Sequence, residues 1–218
     1  MAPIYSPPDA PWVWKNVCKV KEKLKDGFSD SIWTIHPKGY TIKSSYDWLC
    51  SDQSNVDWTA LIWNNWNIPK HSLVTWLRMQ DGMNMKAKLY ALGCSPDDLC
   101  TICQAQTETI EHVFTNCEYV KMVKQELQHW FGGSDIQTHS LLAADRKSIK
   151  WKIRVAMFNA ITYHIWLQRN NARIHYCILR PTVLVSRIVN EVRRRIQGKL
   201  RGLEEEYVST WLRNIGVY

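Results

Sequence analysis

No stretch of this 218-residue chain approaches the roughly 20 consecutive apolar residues that a membrane-spanning helix needs. Nor does it open on a charged segment followed by an apolar run, the mark of a secretory leader. The chain therefore reads as soluble and intracellular, nuclear or cytoplasmic, with no membrane partner. Disulfide-type spacing is missing as well. The cysteines number seven, an odd count, and Cys18, Cys50, Cys94 and Cys177 are scattered through apolar or helical contexts. Free thiols of this kind suit a reducing compartment. No period between 20 and 50 residues recurs, which excludes a repeat array. His36, His71, His129, His139, His164 and His175 have no nucleophile at a recognisable spacing, so no activated Ser or Cys is legible.

What is present is a globular composition, 45% apolar and 22% charged, on a chain long enough to bury a core. Twelve tryptophans stand mostly beside Leu, Ile or Val and read as core anchors; one or two would suit stacking on bases. Three segments are expected: residues 1–29 as a linker with a short helix, 30–140 as a domain that the tract Cys100, Cys103, His112 and Cys117 marks as zinc-binding, and 141–218 as a basic helical extension packed on it.

The zinc expectation rests on Cys100-Thr-Ile-Cys103, followed by His112 and Cys117. A C-x2-C-x8-H-x4-C pattern offers three thiolates and an imidazole, and a filled Cys3His set is a structural zinc site with no open position for water. The Cys-x-x-Cys turn can aim both sulfurs at one ion, and His112 and Cys117 lie near one helical turn apart. Pro96-Asp97-Asp98 precedes the tract, and the polar turn Gln104-Ala105-Gln106-Thr107 lies inside it.

The same residues, with Glu108, Glu111, Val113 and Phe114 between them, resemble the zinc-binding domain that follows the reverse transcriptase in plant long-interspersed-type retrotransposons. The resemblance covers residues 30–175. It includes Tyr40-Thr41-Ile42-Lys43-Ser44-Ser45-Tyr46, Ile62-Trp63 through Ile68-Pro69-Lys70, Trp76-Leu77-Arg78, and Ile165-Trp166 through Arg169-Asn170-Asn171-Ala172-Arg173. It implies a CCHC-type knuckle holding one structural zinc ion, in a module that accompanies a polymerase. The tract differs from the short retroviral knuckle, which has four residues where this chain has eight.

The expected fold is mainly α, a helical domain with one small β-hairpin and a zinc knuckle. The hairpin signal is the alternation over residues 31–43 around Pro37-Lys38-Gly39. Helices are expected over 12–24, after a Ser44 or Ser45 cap, from Asp57 to before Pro69, within 70–92 with a break near Asp81-Gly82 and a stop at Gly93, over 118–131, 146–170 and 182–201, and weakly over 204–215.

Charge is unevenly placed. Residues 141–218 hold fifteen Lys or Arg against five Asp or Glu, so the +8 of the whole chain comes from this part, a distribution that marks where a polyanion binds. On the helix after Pro181, Val185, Val189, Val192, Ile196 and Leu203 fall near one line. Arg180, Arg187, Arg194 and Arg201 repeat every seven residues opposite it, with Arg193, Arg195 and Lys199 nearby. Lys150 and Arg154 extend the basic set, beside Arg146 and Lys147. The guanidinium fork suits phosphate oxygens, so RNA or DNA is the expected partner; a solvated helix face, or an acidic protein partner, fits the same residues.

Catalysis is not expected. No Tyr-x-Asp-Asp tract occurs, and a ribonuclease H site needs four separated carboxylates around metal ions, whereas three of the five C-terminal acids are the run Glu204-Glu205-Glu206. Glu108 and Glu111 are expected to orient His112 or cap its helix, His164 to be a packed histidine, and Asn170 or Asn171 to cap a helix end. The function expected is a non-catalytic zinc-binding, nucleic-acid-binding accessory module; the alternative is a protein-interaction or scaffold domain without nucleic-acid binding.

Overall fold

A computed structural model describes residues 11, 13–16, 18–20, 22, 41–49, 56–131 and 138–200. The chain divides into two compact units, Met1–Val56 and Asp57–Tyr218.

In the first unit the described residues 13–16 and 18–20 are helical, within the expected helix at 12–24. Helix α1 spans Ile42–Leu49. Thr41 is its cap: the Ser44 amide donates to Thr41 Oγ1 at 3.0 Å and the Thr41 amide to Ser44 Oγ at 3.1 Å. This reciprocal box satisfies two backbone donors, and it moves the helix start upstream of the expected Ser44 or Ser45. Ile42 and Lys43 are consequently helical rather than the end of a β-strand. The rest of the hairpin expected at 31–43 lies outside the described residues.

The second unit is helical, with α2 (Thr59–Ile62), α3 (Pro69–Met79), α4 (Lys86–Ala91), a π-helical turn (His112–Asn116), α5 (Glu118–Phe131), α6 (Thr138–Ala143), α7 (Ile149–His175) and α8 (Pro181–Leu200). Among the described residues the β pairing is a single antiparallel bridge, Leu99 with Thr107. The helix expected from Asp57 shrinks to one turn. Asn67 Nδ2 donates to the carbonyls of Leu61 and Ile62, and Ser72 Oγ also reaches Ile62, so side chains take the acceptors that a continuing helix would use. Pro69 then opens α3 at a position where its missing N–H costs nothing. Gly93 ends α4 as expected, at φ +69°. Its amide reaches Tyr90 O and that of Cys94 reaches Leu89 O, the paired bonds of a Schellman stop.

Helix α7 is the axis. Its 27 residues run from Ile149 past the expected end at 170 to His175, about 40 Å at 1.5 Å per residue. Fifteen are buried on nearly every side, so Asn170 and Asn171 stand within the helix and cap nothing. The main core joins Val74 of α3, Val113 and Phe114 of the π turn, Val120, Val123 and Leu127 of α5, Met157 and Ile165 of α7, and Val185, Ile188, Val189, Val192 and Ile196 of α8. A smaller cluster gathers Leu61, Leu141, Trp151, Val155 and Phe158. Helix α6 occupies part of the stretch between the helices expected at 118–131 and 146–170, because Leu141 is fully buried there and its carbonyl accepts from Trp151 Nε1 at 2.8 Å. Of the tryptophans, Trp151 is buried, and Trp58, Trp66 and Trp166 pack on the two clusters. Trp14, Trp63 and Trp76 are exposed and are not core anchors. No described helix is long and apolar enough to cross a membrane.

Candidate metal centre

Cys100, Cys103, His112 and Cys117 converge, with one ligand atom from each inside a 4.8 Å span. Two local structures do this. The first is a tight loop: the Cys100 amide donates to Gln106 O at 2.7 Å, that of Glu108 to Asp98 O at 2.7 Å, and that of Gln104 to Cys100 O at 2.8 Å. Gln104 takes the left-handed conformation, φ +54°, which folds the Cys-x-x-Cys arm back on itself. Asp97 and Asp98 brace this loop. Asp97 Oδ1 accepts from the Leu99 amide and pairs with Lys86, and Asp98 Oδ2 accepts from Thr107 Oγ1.

The second is the π turn. Five residues along an α-helix lie about 140° around the axis, which would point His112 and Cys117 apart. Here the Cys117 amide closes on His112 O at 2.7 Å. This i→i+5 bond widens the turn and brings the two side chains to one side. The His112 amide is held by Thr109 Oγ1 at 3.0 Å. Cys117 is extended (φ −61°, ψ 132°), and its carbonyl receives Lys121 to begin α5.

Cys100 and Cys117 are fully buried. His112 Nε2 faces Cys103 Sγ at 3.3 Å, close to the roughly 3.5 Å edge between S and N ligands of a zinc tetrahedron with bonds near 2.3 and 2.0 Å. A hydrogen bond from Cys100 holds the Cys117 thiol below its ordinary value, and the same bond, with burial, raises Cys100. Buried sulfurs in such contact are a thiol set that gains by giving up protons to a cation. Burial also lowers the His112 pKa, leaving its imidazole neutral and able to donate a lone pair. The donor set thus fits a borderline-soft ion of zinc's kind.

Glu108 does something the sequence reading missed. It is fully buried and, rather than orienting His112, its carboxylate accepts from the Lys86 amide, from the Thr101 amide and hydroxyl, and from Arg169 Nε at 3.1 Å and Nη2. Burial pushes this carboxyl up, but the bonds from Arg169 and Thr101 outweigh it and hold it below the usual glutamate value. Arg169 also reaches Asn84 O. One ion pair therefore ties the cysteine loop to α7 and to the start of α4. Glu111, by contrast, only accepts from Asn116 Nδ2 at the surface. The signal for the pair was a Glu inside the cysteine tract and an Arg 61 residues on, and nothing local links them.

The basic residues separate into two groups. Arg180, Arg187, Arg194 and Lys150 are exposed, and Arg193 and Arg154 are half-buried. Arg195 is committed inward: Nε donates to Trp66 O at 3.2 Å and Nη2 to Asn65 O and Asn67 O at 2.7 and 2.9 Å, so it fastens α8 to the α2–α3 loop. Arg201 and Leu203 lie outside the described residues.

A protein family described as zinc-binding in reverse transcriptase matches residues 40–123. The chain is also 24% identical over 75 residues to an uncharacterised mitochondrial protein of Arabidopsis thaliana, covering 34% of this chain and 52% of that protein. It spans about half the length of this curated relative. No solved structure matches it. All four converging side chains, Cys100, Cys103, His112 and Cys117, lie inside the span that is similar to this zinc-binding family.

Proposed function

We propose that the chain is a non-catalytic accessory module derived from a retrotransposon polyprotein, and that it binds RNA or DNA. Cys100, Cys103, His112 and Cys117 hold one structural zinc ion, which closes the loop over 98–108 onto the π turn. Four protein donors leave no position for substrate, so the ion supplies folding free energy and no reaction. The observation that carries the binding half is the division of α8. Leu184, Val185, Ile188, Val189, Val192 and Ile196 are buried, while Arg180, Arg187 and Arg194 are exposed and enter no salt bridge among the described residues. A row of exposed guanidinium groups on a rigid helix suits phosphates spaced along a strand.

The test is a salt titration of RNA and DNA binding by the zinc-loaded chain. Replacing Arg180, Arg187 and Arg194 together by Gln should leave the zinc at the cysteines and the helicity intact. It should weaken binding and flatten the plot of log affinity against log salt, by roughly 0.7–0.9 per lost phosphate contact. Unchanged affinity and slope would make the stripe a solvated face, and a scaffold role with an acidic protein partner would replace this reading.

A further inference from the structure

A second set of ligand-type groups lies away from the cysteines. His71 on α3, His164 on α7 and Glu191 on α8 bring two imidazole nitrogens and a carboxylate oxygen within 4.8 Å of one another. His164 Nε2 is 2.7 Å and His71 Nε2 3.5 Å from the same oxygen, Glu191 Oε2. A tetrahedral ion with bonds near 2.0 Å to N and O needs ligand–ligand edges of about 3.3 Å; the His71 distance is close to this, and the shorter His164 distance is a hydrogen bond whose proton an ion would replace. His71 is 1% exposed, and its Nε2 has no hydrogen-bond partner. A buried ring nitrogen that faces a carboxylate without a hydrogen bond carries a cost that a bound cation removes.

We propose that His71, His164 and Glu191 form a second metal site, which takes a borderline divalent ion of the zinc class through two imidazole nitrogens and one carboxylate oxygen. Nitrogen donors exclude calcium and magnesium, which take oxygen shells. Burial lowers the pKa of both histidines, which favours the neutral imidazole that a metal ion takes. Glu191 is the partly exposed member, 27% for its side chain, and water from that side completes four-coordination. The groups around the site set its strength. Lys70 Nζ takes the other oxygen, Oε1, at 2.8 Å, and lies over the Tyr163 ring; Arg187 adds positive charge from α8. These cations leave Oε2 facing the two imidazoles but oppose a second positive charge, so the site is weaker than the Cys3His set. His71 lies inside the matched span 40–123, whereas His164 and Glu191 lie beyond it, so this site is a property of the whole helical unit.

Cobalt titration of the metal-free full chain tests this. The first equivalent should give the intense near-ultraviolet band of thiolate ligation. The second should add only weak visible absorption, with no thiolate contribution. Glu191→Gln, which keeps shape and hydrogen bonding, should retain the first and lose the second by more than the roughly 10–100-fold that removal of an outer-shell partner costs. Lys70→Gln should tighten the second. A chain that saturates at one equivalent overturns the proposal, as does a second equivalent that Glu191→Gln leaves unchanged. Should Glu191→Gln fail to fold, the wild-type stoichiometry and the tightening by Lys70→Gln decide the matter.

Discussion

Glu108 and Arg169 show how much of this molecule rests on single side chains. The carboxylate is wholly buried and the guanidinium nearly so, and together they join the cysteine loop, the α4 start and α7. Removing one partner of such a pair leaves a buried charge uncompensated, at about 3–5 kcal/mol. Arg169→Met should therefore destabilise the chain by that order in urea unfolding. Arg169→Met combined with Glu108→Gln should cost less than Arg169→Met alone, since the stranded charge is gone. Additive losses would mean that the two residues act independently. Arg78 is a related case. It donates to Thr162 Oγ1 at 3.1 Å, its guanidinium lies 4.7 and 5.4 Å from the Phe114 and Phe158 rings, and burial lowers its pKa to about 10. Sequence marked Trp76-Leu77-Arg78 as a unit of resemblance, but the role of its arginine as a cation set among aromatic faces depends on partners 36 and 80 residues away.

Among the elements, those whose ends are fixed by local chemistry were legible. Glycine at 93, proline at 69 and 181, and the apolar period of α5 and α8 each act within a few residues. At Gly93 an added Cβ would meet nothing within 4 Å, and the obstacle is the φ of +69° alone. Gly93→Ala should cost about 1–2 kcal/mol, the penalty of an L-residue in the left-handed region, read as a lower urea midpoint at unchanged slope. A midpoint within error of the wild type would mean that α4 ends differently in solution. The elements that were missed depend on distant contacts. Helix α6 forms where Leu141 meets Trp151, and α2 stops after one turn because Asn67, Ser72 and Asn159 occupy its carbonyls. The single β pairing is a bridge inside the cysteine loop rather than an alternating stretch, so no period announced it.

In the whole second unit, the candidate zinc loop is part of the main core and not an appendage. Cys100, Cys117, Val113 and Phe114 belong to the same buried cluster as Met157, Ile165, Ile188 and Ile196. Zinc removal should accordingly reach past residues 94–131. Chelation, or Cys103→Ser, is expected to lower the thermal midpoint of the helical signal for the entire unit in one transition, because ligand assembly is coupled to folding. Retention of the α7–α8 signal after chelation, with loss confined to the loop, would show instead that the core closes without the ion. The sequence by itself determined the Cys/His pattern, the helical class, and the division of α8 into an apolar and a basic face, since each is a matter of spacing along the chain. Only the tertiary structure decided which charges are spoken for. Arg195 turns inward to the α2–α3 loop, Arg169 meets Glu108, and Glu191 meets two histidines from two other helices. Burial leaves a polar group no water to pair with, so its partner must come from whatever the packing brings near, and spacing along the chain does not encode that.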